Sequence, residues 1–215
     1  MKPGKRSKYD RLSQFLYTLS LVFLGLGLFS LGWVVWPIPT DGVQLDIPAG
    51  PLPGAPEDLS YASLSDYSLG ISWPRWMRRG ETGTLSLRLT DLEPHIPPQI
   101  DASQVVLVEP ALYPLRVDPP GRVQVNLGDA QSLPLTWSVT GEERGAYAGK
   151  LYLSFGFFDD APDTLISVPV AVVDLNIRVV DLWGLKPGLV TWFGLVSLAV
   201  WGALFVLGRR IGVGK

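Results

Sequence analysis

Two long runs without a charged side chain, one near each end of the chain, constrain the fold more than any other feature. The first covers residues 12–40 and the second covers residues 187–208. Each is longer than the ~20 residues that an α-helix needs to cross a hydrocarbon layer ~30 Å thick. Because backbone groups left unpaired in lipid are costly, a run of this kind must be helical. We therefore predict two transmembrane helices, at residues 14–36 and 188–208.

Basic residues on the outer flanks of the two runs predict their orientation. Five precede the first run, opposed by Asp10 alone, and three follow the second run with no acid. Since Lys and Arg collect on the cytoplasmic side of a membrane, we expect cytoplasmic basic tails at residues 1–13 and 209–215. Residues 41–186 then lie outside the plasma (inner) membrane, and they hold 10 basic and 19 acidic residues.

A cleavable signal peptide is the alternative interpretation of the first run. Its basic start fits, and Ser30-Leu31-Gly32 has the small-x-small pattern of a cleavage site. The apolar core of a signal peptide is only about 7–15 residues long, whereas this run continues to Trp36. An uncleaved anchor is therefore favoured, with Trp33 and Trp36 at the membrane interface and Pro37 ending the helix.

The segment between the helices has the pattern of a β-sandwich behind a linker. Residues 37–66 are rich in Pro and Gly and predict an extended linker, in which a short strand at Val43–Ile47 is an alternative. Short stretches in which apolar and polar residues alternate follow, and they predict seven or eight antiparallel strands at residues 67–181, with a tether at residues 182–187. The stretches are residues 67–73, 85–89, 105–108, 123–127, 133–139, 151–157 and 165–180.

Two parts of this pattern resemble bacterial extracytoplasmic immunoglobulin-like domains. The first is Pro74-x-x-Met77-x-x-Gly80-Glu81-x-Gly83-x-Leu85-x-Leu87-x-Leu89, which is similar to a first strand, a Gly-Glu turn and an alternating second strand. The second contains Glu143-x-Gly145-x-Tyr147, which is similar to the tyrosine corner, with Glu in place of the usual Asp. The resemblance implies an all-β antiparallel immunoglobulin-like sandwich, flanked here by two transmembrane α-helices. A shared sandwich says little about function.

The sequence WPRWMRRGETG at residues 73–83 crowds tryptophans and arginines together. Three functional interpretations apply, namely a nucleic-acid platform, a lipid-headgroup contact and a protein-binding patch. The structural alternative is a strand, a turn and a second strand, with the first tryptophan buried and the arginines on the rim. A location outside the cell argues against nucleic acid. Trp and Arg are enriched in interface hot spots, so these residues are the candidate contacts. They are Trp73, Arg75, Trp76, Arg78 and Arg79.

Small residues within the apolar runs are candidates for close helix packing, either between the two helices or against another membrane protein. The pattern also has a plainer explanation, because glycine is common in membrane helices. The packing candidates are Gly25 and Gly32 in the first helix and Ala199 and Ala203 in the second, with Ser30, Gly194 and Ser197 nearby.

No motif in the sequence points to catalysis, a metal or a cofactor. The chain has no cysteine and a single histidine, His95, in a proline-rich loop. Asp159, Asp160 and Asp163 lie close together but lack the spacing of a calcium-binding loop, and they predict a solvated acidic turn. No Gly-x-Ser-x-Gly elbow occurs. We therefore expect no enzyme, no metal site, no cofactor and no small-molecule substrate.

Two function classes follow from this pattern. The first is a non-catalytic two-pass membrane protein that presents an extracytoplasmic immunoglobulin-like sandwich for protein–protein interaction or scaffolding. The alternative is an accessory subunit of a transporter or secretion complex that is recognised through its transmembrane helices. A ligand- or metal-binding sensor is a third class, and it requires a polar pocket or a cation-dependent gain in stability. The expected partners are membrane lipid and another envelope or membrane protein, and nucleic acid is not expected.

Overall fold

The computed structural model describes residues 8–48, 66–92, 104–126, 132–158 and 165–213. The chain divides into two compact units. One combines the N-terminal residues up to Pro37 with the C-terminal residues from Asp181 onward, and the other extends over Ile38–Val180. The first unit is helical and the second is built from β-strands.

The helical unit consists of α1 (Lys8–Val35) and α2 (Pro187–Val213). Both helices are long and apolar enough to cross a membrane, over Arg11–Val35 and Pro187–Ile211. Pro187 stands at the first helical position, where its missing N–H is not needed. The two helices predicted from the charge-free runs are thus present. α1 begins six residues before its predicted start and ends one residue before its predicted end, whereas α2 extends beyond both of its predicted bounds.

The β unit contains ten strands among the described residues, arranged in two five-stranded sheets. The strands are β1 (Thr40–Ile47), β2 (Tyr67–Pro74), β3 (Trp76–Arg78), β4 (Thr82–Asp91), β5 (Gln104–Ala111), β6 (Arg116–Asp118), β7 (Val123–Asn126), β8 (Ser132–Thr140), β9 (Gly145–Phe158) and β10 (Leu165–Val180). The first sheet has the order β1-β2-β4-β8-β6 and the second has the order β3-β10-β9-β5-β7.

Alternating apolar residues from both sheets form one core. In β4, for example, Leu85, Leu87 and Leu89 are buried, while Thr84 before them and Arg88 among them are exposed. The largest fully buried side chains of the core are Leu69, Met77, Leu85, Leu87, Leu89, Trp137, Leu151, Leu153, Phe155 and Leu175. Every strand pair is antiparallel except β3 with β10. The unit is therefore an immunoglobulin-like β-sandwich, as the resemblance implied.

The tyrosine corner predicted from the sequence is present. The hydroxyl of Tyr147 donates a hydrogen bond of 2.9 Å to the backbone carbonyl of Glu143. Gly145 leaves room for this ring, because a Cβ there would lie 3.1 Å from Tyr147 Cζ. The contact uses the backbone of Glu143 and not its side chain, so Glu serves as well as the usual Asp.

The sandwich begins earlier than the sequence predicted. β1 lies in the segment assigned to the linker, yet it pairs with β2 along its whole length, from Thr40 opposite Pro74 to Ile47 opposite Tyr67. Ile47 is buried in the core, and Val43 and Leu45 pack against it. The short strand considered at Val43–Ile47 is thus present and longer, and residues 40–47 belong to the sandwich.

Candidate interaction surfaces

The segment from Trp73 to Arg79 lies where the chain passes from one sheet to the other. β2 ends in the first sheet at Pro74, and β3 begins in the second sheet at Trp76. Trp73 is only 8% exposed and belongs to the core. Its indole N–H is buried and has no hydrogen-bond partner among the described residues. Trp73 therefore stabilises the sandwich and presents almost no surface to a partner, as the structural alternative expected.

Arg78 is not on the rim, and in this respect the sequence-based expectation is wrong. Its side chain points inward and the residue is 2% exposed. Arg78 Nη1 lies 3.0 Å from Glu81 Oε2, and the guanidinium carbon lies 5.3 Å from the centre of the Trp76 ring. A buried charge needs a partner of this kind, so Arg78 is committed to the fold.

The remaining candidates of this segment lie at the surface. Arg75 is exposed and Trp76 is half-buried. Arg79 is half-buried, and its Nε donates a 2.8 Å hydrogen bond to the backbone carbonyl of Glu142. Arg178 joins them, because it is exposed on β10 directly opposite Trp76. Sequence reasoning missed Arg178, although the alternation along β10 already places it on the outward face.

A second surface is the free edge of β1, the longest edge strand among the described residues. Arg75 N donates to Pro39 O at 3.0 Å, and this bond sets the phase of the ladder between β1 and β2. Odd-numbered residues of β1 therefore bond to β2, and even-numbered ones direct their N–H and C=O away from it. In the described part of the sheet no strand pairs with that side. The outward peptide groups belong to Thr40, Gly42, Gln44 and Asp46.

The outer face of the second sheet carries one titratable pair of note. Lys150 Nζ donates to Asp174 Oδ1 at 3.0 Å between β9 and β10. This hydrogen bond and the negative charge of Asp174 raise the pKa of Lys150 above its ordinary value.

Among the described residues, no group of three His, Cys, Asp or Glu side chains is placed to hold a metal ion. His95 and the acidic turn of Asp159 to Asp163 lie outside the described residues.

The two helices pack antiparallel through small residues. A Cβ at Gly27 would lie 3.1 Å from the carbonyl oxygen of Gly194, and a Cβ at Gly194 would lie 3.3 Å from that of Gly27. Farther along, Ser13 Oγ donates to the carbonyl oxygen of Gly208 at 3.2 Å. Small residues let the two backbones approach this closely.

The buried positions along the helix contact are spaced by three, four, seven or eleven residues, so they lie on one face of each helix. They are Ser13, Leu16, Ser20, Gly27 and Ser30 on α1 and Val190, Gly194, Ser197 and Gly208 on α2. We call these nine residues the seam. Ser30, Gly194 and Ser197 were among the small residues noted in the sequence, whereas Gly27 was not singled out.

The four packing candidates lie outside the seam. A Cβ at Gly25 or Gly32 would meet nothing within 4 Å. Ala199 and Ala203 are exposed on α2. Their expected role in packing α1 against α2 is therefore wrong, because the rotation of each helix turns them away from its neighbour. Packing against another membrane protein through these residues stays a prediction.

Large apolar side chains cover the outside of the helix pair. They include Phe15, Leu21, Leu28, Phe29, Trp192, Leu195, Val196 and Val206, each at least 50% exposed. The seam, in contrast, contains four serines and three glycines. In a water-soluble helix pair the apolar side chains face each other. The distribution here is reversed, with small and polar residues inside and large apolar residues outside.

No protein-family model matches the sequence, and no curated protein matches it. The CARDB domain of the PF1109 protein from Pyrococcus furiosus is similar in structure, at 17% identity and a TM-score of 0.33, with 54% of this chain and 94% of that chain covered. The PapD-like domain 7 of human CEP192 is 12% identical, with a TM-score of 0.31 and coverage of 50% and 82%. WR4, a C. elegans MSP family member, is 11% identical, with a TM-score of 0.29 and coverage of 50% and 94%. The fold assignment rests on the strand order and register given above.

Proposed function

We propose that this chain is a non-catalytic two-pass membrane protein whose immunoglobulin-like sandwich binds a segment of another membrane or envelope protein outside the cytoplasm. Membrane insertion is supported by the reversed distribution of side chains on the helix pair. Large apolar side chains on its outside suit contact with lipid, while serines and glycines suit a dry helix contact. Basic residues beyond both helices favour cytoplasmic termini, with the acidic sandwich on the opposite side.

The observation that carries the binding function is the free edge of β1. Four residues on alternate positions direct peptide groups away from the sheet, toward a side where no described strand pairs with them. They are enough for a short extended segment to add as a further strand. Main-chain hydrogen bonds supply affinity in this mode of recognition, and the neighbouring side chains supply specificity. Natural sheets normally protect such edges against unwanted pairing, so a free edge eight residues long favours a partner.

The test uses the outward N–H of Gln44. Gln44→Pro removes this donor without removing a bond between β1 and β2, because Gln44 does not bond to β2 through its backbone. Gln44→Ala keeps the donor and is the matched control. Both variants are expressed in full length, and the partner is recovered from native membranes after crosslinking. We expect Gln44→Pro to lose the partner and Gln44→Ala to keep it, and equal recovery by the two variants refutes recognition through β1.

An accessory subunit recognised through its helices is the second candidate function. It is favoured by one observation, that Gly25 and Gly32 on α1 and Ala199 and Ala203 on α2 face away from the seam. Small residues on such a face allow a further helix to approach. Substituting Gly25 and Gly32 by Leu blocks that approach. Loss of the partner in this variant, with the partner retained by Gln44→Pro, favours the second candidate over the first.

A further inference from the structure

Charge in the sandwich is divided between its two ends. At one end β2, β8 and β10 end while β1, β4 and β9 begin, as the pairs Thr40 with Pro74 and Thr82 with Thr140 show. The backbone bond from Arg79 N to Val180 O closes this end across the second sheet. We call it the proximal end, because the residues that connect the sandwich to α1 and α2 leave from it.

The proximal end is rich in arginine. Its arginines are Arg75, Arg78, Arg79, Arg116, Arg144 and Arg178. Apart from Arg78, which is buried against Glu81, all are exposed or half-buried. Six acidic residues share this end, and Glu81 among them is already paired with Arg78. The others are Asp41, Asp118, Glu142, Glu143 and Asp181.

The opposite end is acidic. Among the described residues, Asp46, Asp66 and Asp91 lie at or beside the strand ends there, and no Lys or Arg does. The arginines are therefore concentrated toward the connections to the helices, whereas the described charges at the other end are all negative.

We propose that the proximal end docks on anionic phospholipid headgroups of the membrane that α1 and α2 cross. This inference rests on the proposed membrane insertion and adds a binding surface to it. Guanidinium groups hold phosphate through paired hydrogen bonds, and a half-buried indole such as Trp76 suits the polar–apolar boundary. Repulsion between the acidic end and the same lipids favours one orientation of the sandwich over its inverse.

The lengths of the two connections fit this orientation. Four residues separate the end of α1 at Val35 from Thr40, and six separate Val180 from the start of α2 at Pro187. Fully extended, these connections span at most ~18 Å and ~25 Å. The two headgroup layers together add about 10–15 Å to the hydrocarbon thickness of a bilayer. The short connections thus keep the proximal end within reach of the lipid surface.

The experiment exploits the absence of native cysteine. A donor dye is attached to Ala146→Cys, an exposed position opposite Arg178 at the proximal end. A second sample carries the dye at Ser132→Cys, which is exposed at the far end of β8. The full chain is placed in lipid nanodiscs with acceptor dye on the headgroups, made of phosphatidylcholine alone or with added phosphatidylglycerol. Energy transfer then reports which end lies near the lipid.

We expect transfer from position 146 to rise with phosphatidylglycerol and to fall with added salt, while transfer from position 132 stays low. Each exposed arginine favours an anionic surface by about fivefold, so three of them contribute about 100-fold to the docking equilibrium. The test variant combines Arg75→Gln, Arg79→Gln and Arg178→Gln, and a parallel variant replaces the same residues by Lys. The Gln variant should lose the lipid response, and the Lys variant should keep most of it.

A matched control removes three positive charges from the middle of the sandwich, through Arg88→Gln, Arg122→Gln and Lys150→Gln. It should respond to phosphatidylglycerol as the natural chain does. A response to anionic lipid that is absent in the natural chain, or lost equally in this control, overturns the proposal. Extraction at alkaline pH is measured on the same samples. If alkaline pH extracts the chain from the membrane, the proposed membrane insertion is refuted. If the chain stays in the membrane but shows no response to phosphatidylglycerol, only the proposed docking is refuted.

Discussion

The contact between α1 and α2 gives a prediction with an internal control, because two glycines two residues apart on α1 have opposite surroundings. At Gly27 a Cβ would lie 2.8 Å from two carbons of Leu198 and 3.1 Å from the carbonyl oxygen of Gly194. At Gly25 a Cβ would meet nothing within 4 Å. Leucine has three carbons beyond Cβ, so Gly27→Leu forces the helices apart while Gly25→Leu leaves their contact unchanged.

The magnitudes follow from the same geometry. The Gly194 carbonyl is part of a helix and cannot move alone, so Gly27→Leu overpacks the seam at a cost of about 2 kcal/mol, a factor of ~30 in the pairing equilibrium. Gly25→Leu carries no such cost, and replacing glycine within a helix contributes up to about 1 kcal/mol of helix stability. The two substitutions add the same side chain and should differ in sign.

The assay is disulfide formation between Leu16→Cys and Gly208→Cys in the full chain. A Cβ at position 208 would lie 3.5 Å from Leu16 Cβ, within the ~3.5–4.5 Å that a disulfide requires. The rate of disulfide formation, followed as mild detergent is replaced by SDS, reports the paired fraction. Gly27→Leu should lower the SDS content at which pairing is lost, and Gly25→Leu should not. Equal midpoints, or failure of the two cysteines to join, refute this helix contact.

Two further predictions concern the stability of the sandwich. Tyr147→Phe removes the tyrosine-corner hydrogen bond and should cost about 1 kcal/mol, seen as a lower melting temperature, while Tyr113→Phe at a fully exposed position should change nothing. Glu81→Gln leaves the buried guanidinium of Arg78 without its carboxylate and should cost about 1–3 kcal/mol in denaturant unfolding. Glu109→Gln, which breaks only an exposed pair, should cost less than about 1 kcal/mol. The reverse order in either pair of variants contradicts the contacts described here.

Periodicity in the sequence predicted the architecture well, because the long apolar runs and the apolar–polar alternation both reflect which side chains face away from water. The charge-free runs marked α1 and α2, and the alternation in stretches such as Leu85 to Leu89 marked strands with one buried face. The tyrosine corner was also predictable, since Tyr147 and Gly145 interact within a few residues. In local patterns of this kind, the interacting residues lie close together in the sequence.

Features that depend on distant partners were not predictable. β1 was assigned to the linker because Pro and Gly residues flank it in the sequence. It is a strand because it pairs with β2, which follows a long connection. Arg78 is buried because β3 leaves the first sheet, a step that no local pattern of arginines shows. Gly27 and Gly25 are alike in sequence, and only the rotation of α1 against α2 separates a seam residue from an outward one.

Site-specific crosslinking in native membranes tests the central claim most directly, that the sandwich and not the helix pair holds the partner. A photoreactive residue is placed in the full chain either at Gln44, on the free edge of β1, or at Ala199, on the outward face of α2. The account predicts one defined protein adduct from position 44 and none from position 199. Asp46→Pro, which removes a neighbouring outward N–H from the same edge, should abolish that adduct. An adduct from position 199 alone contradicts it and makes the helices the recognition element.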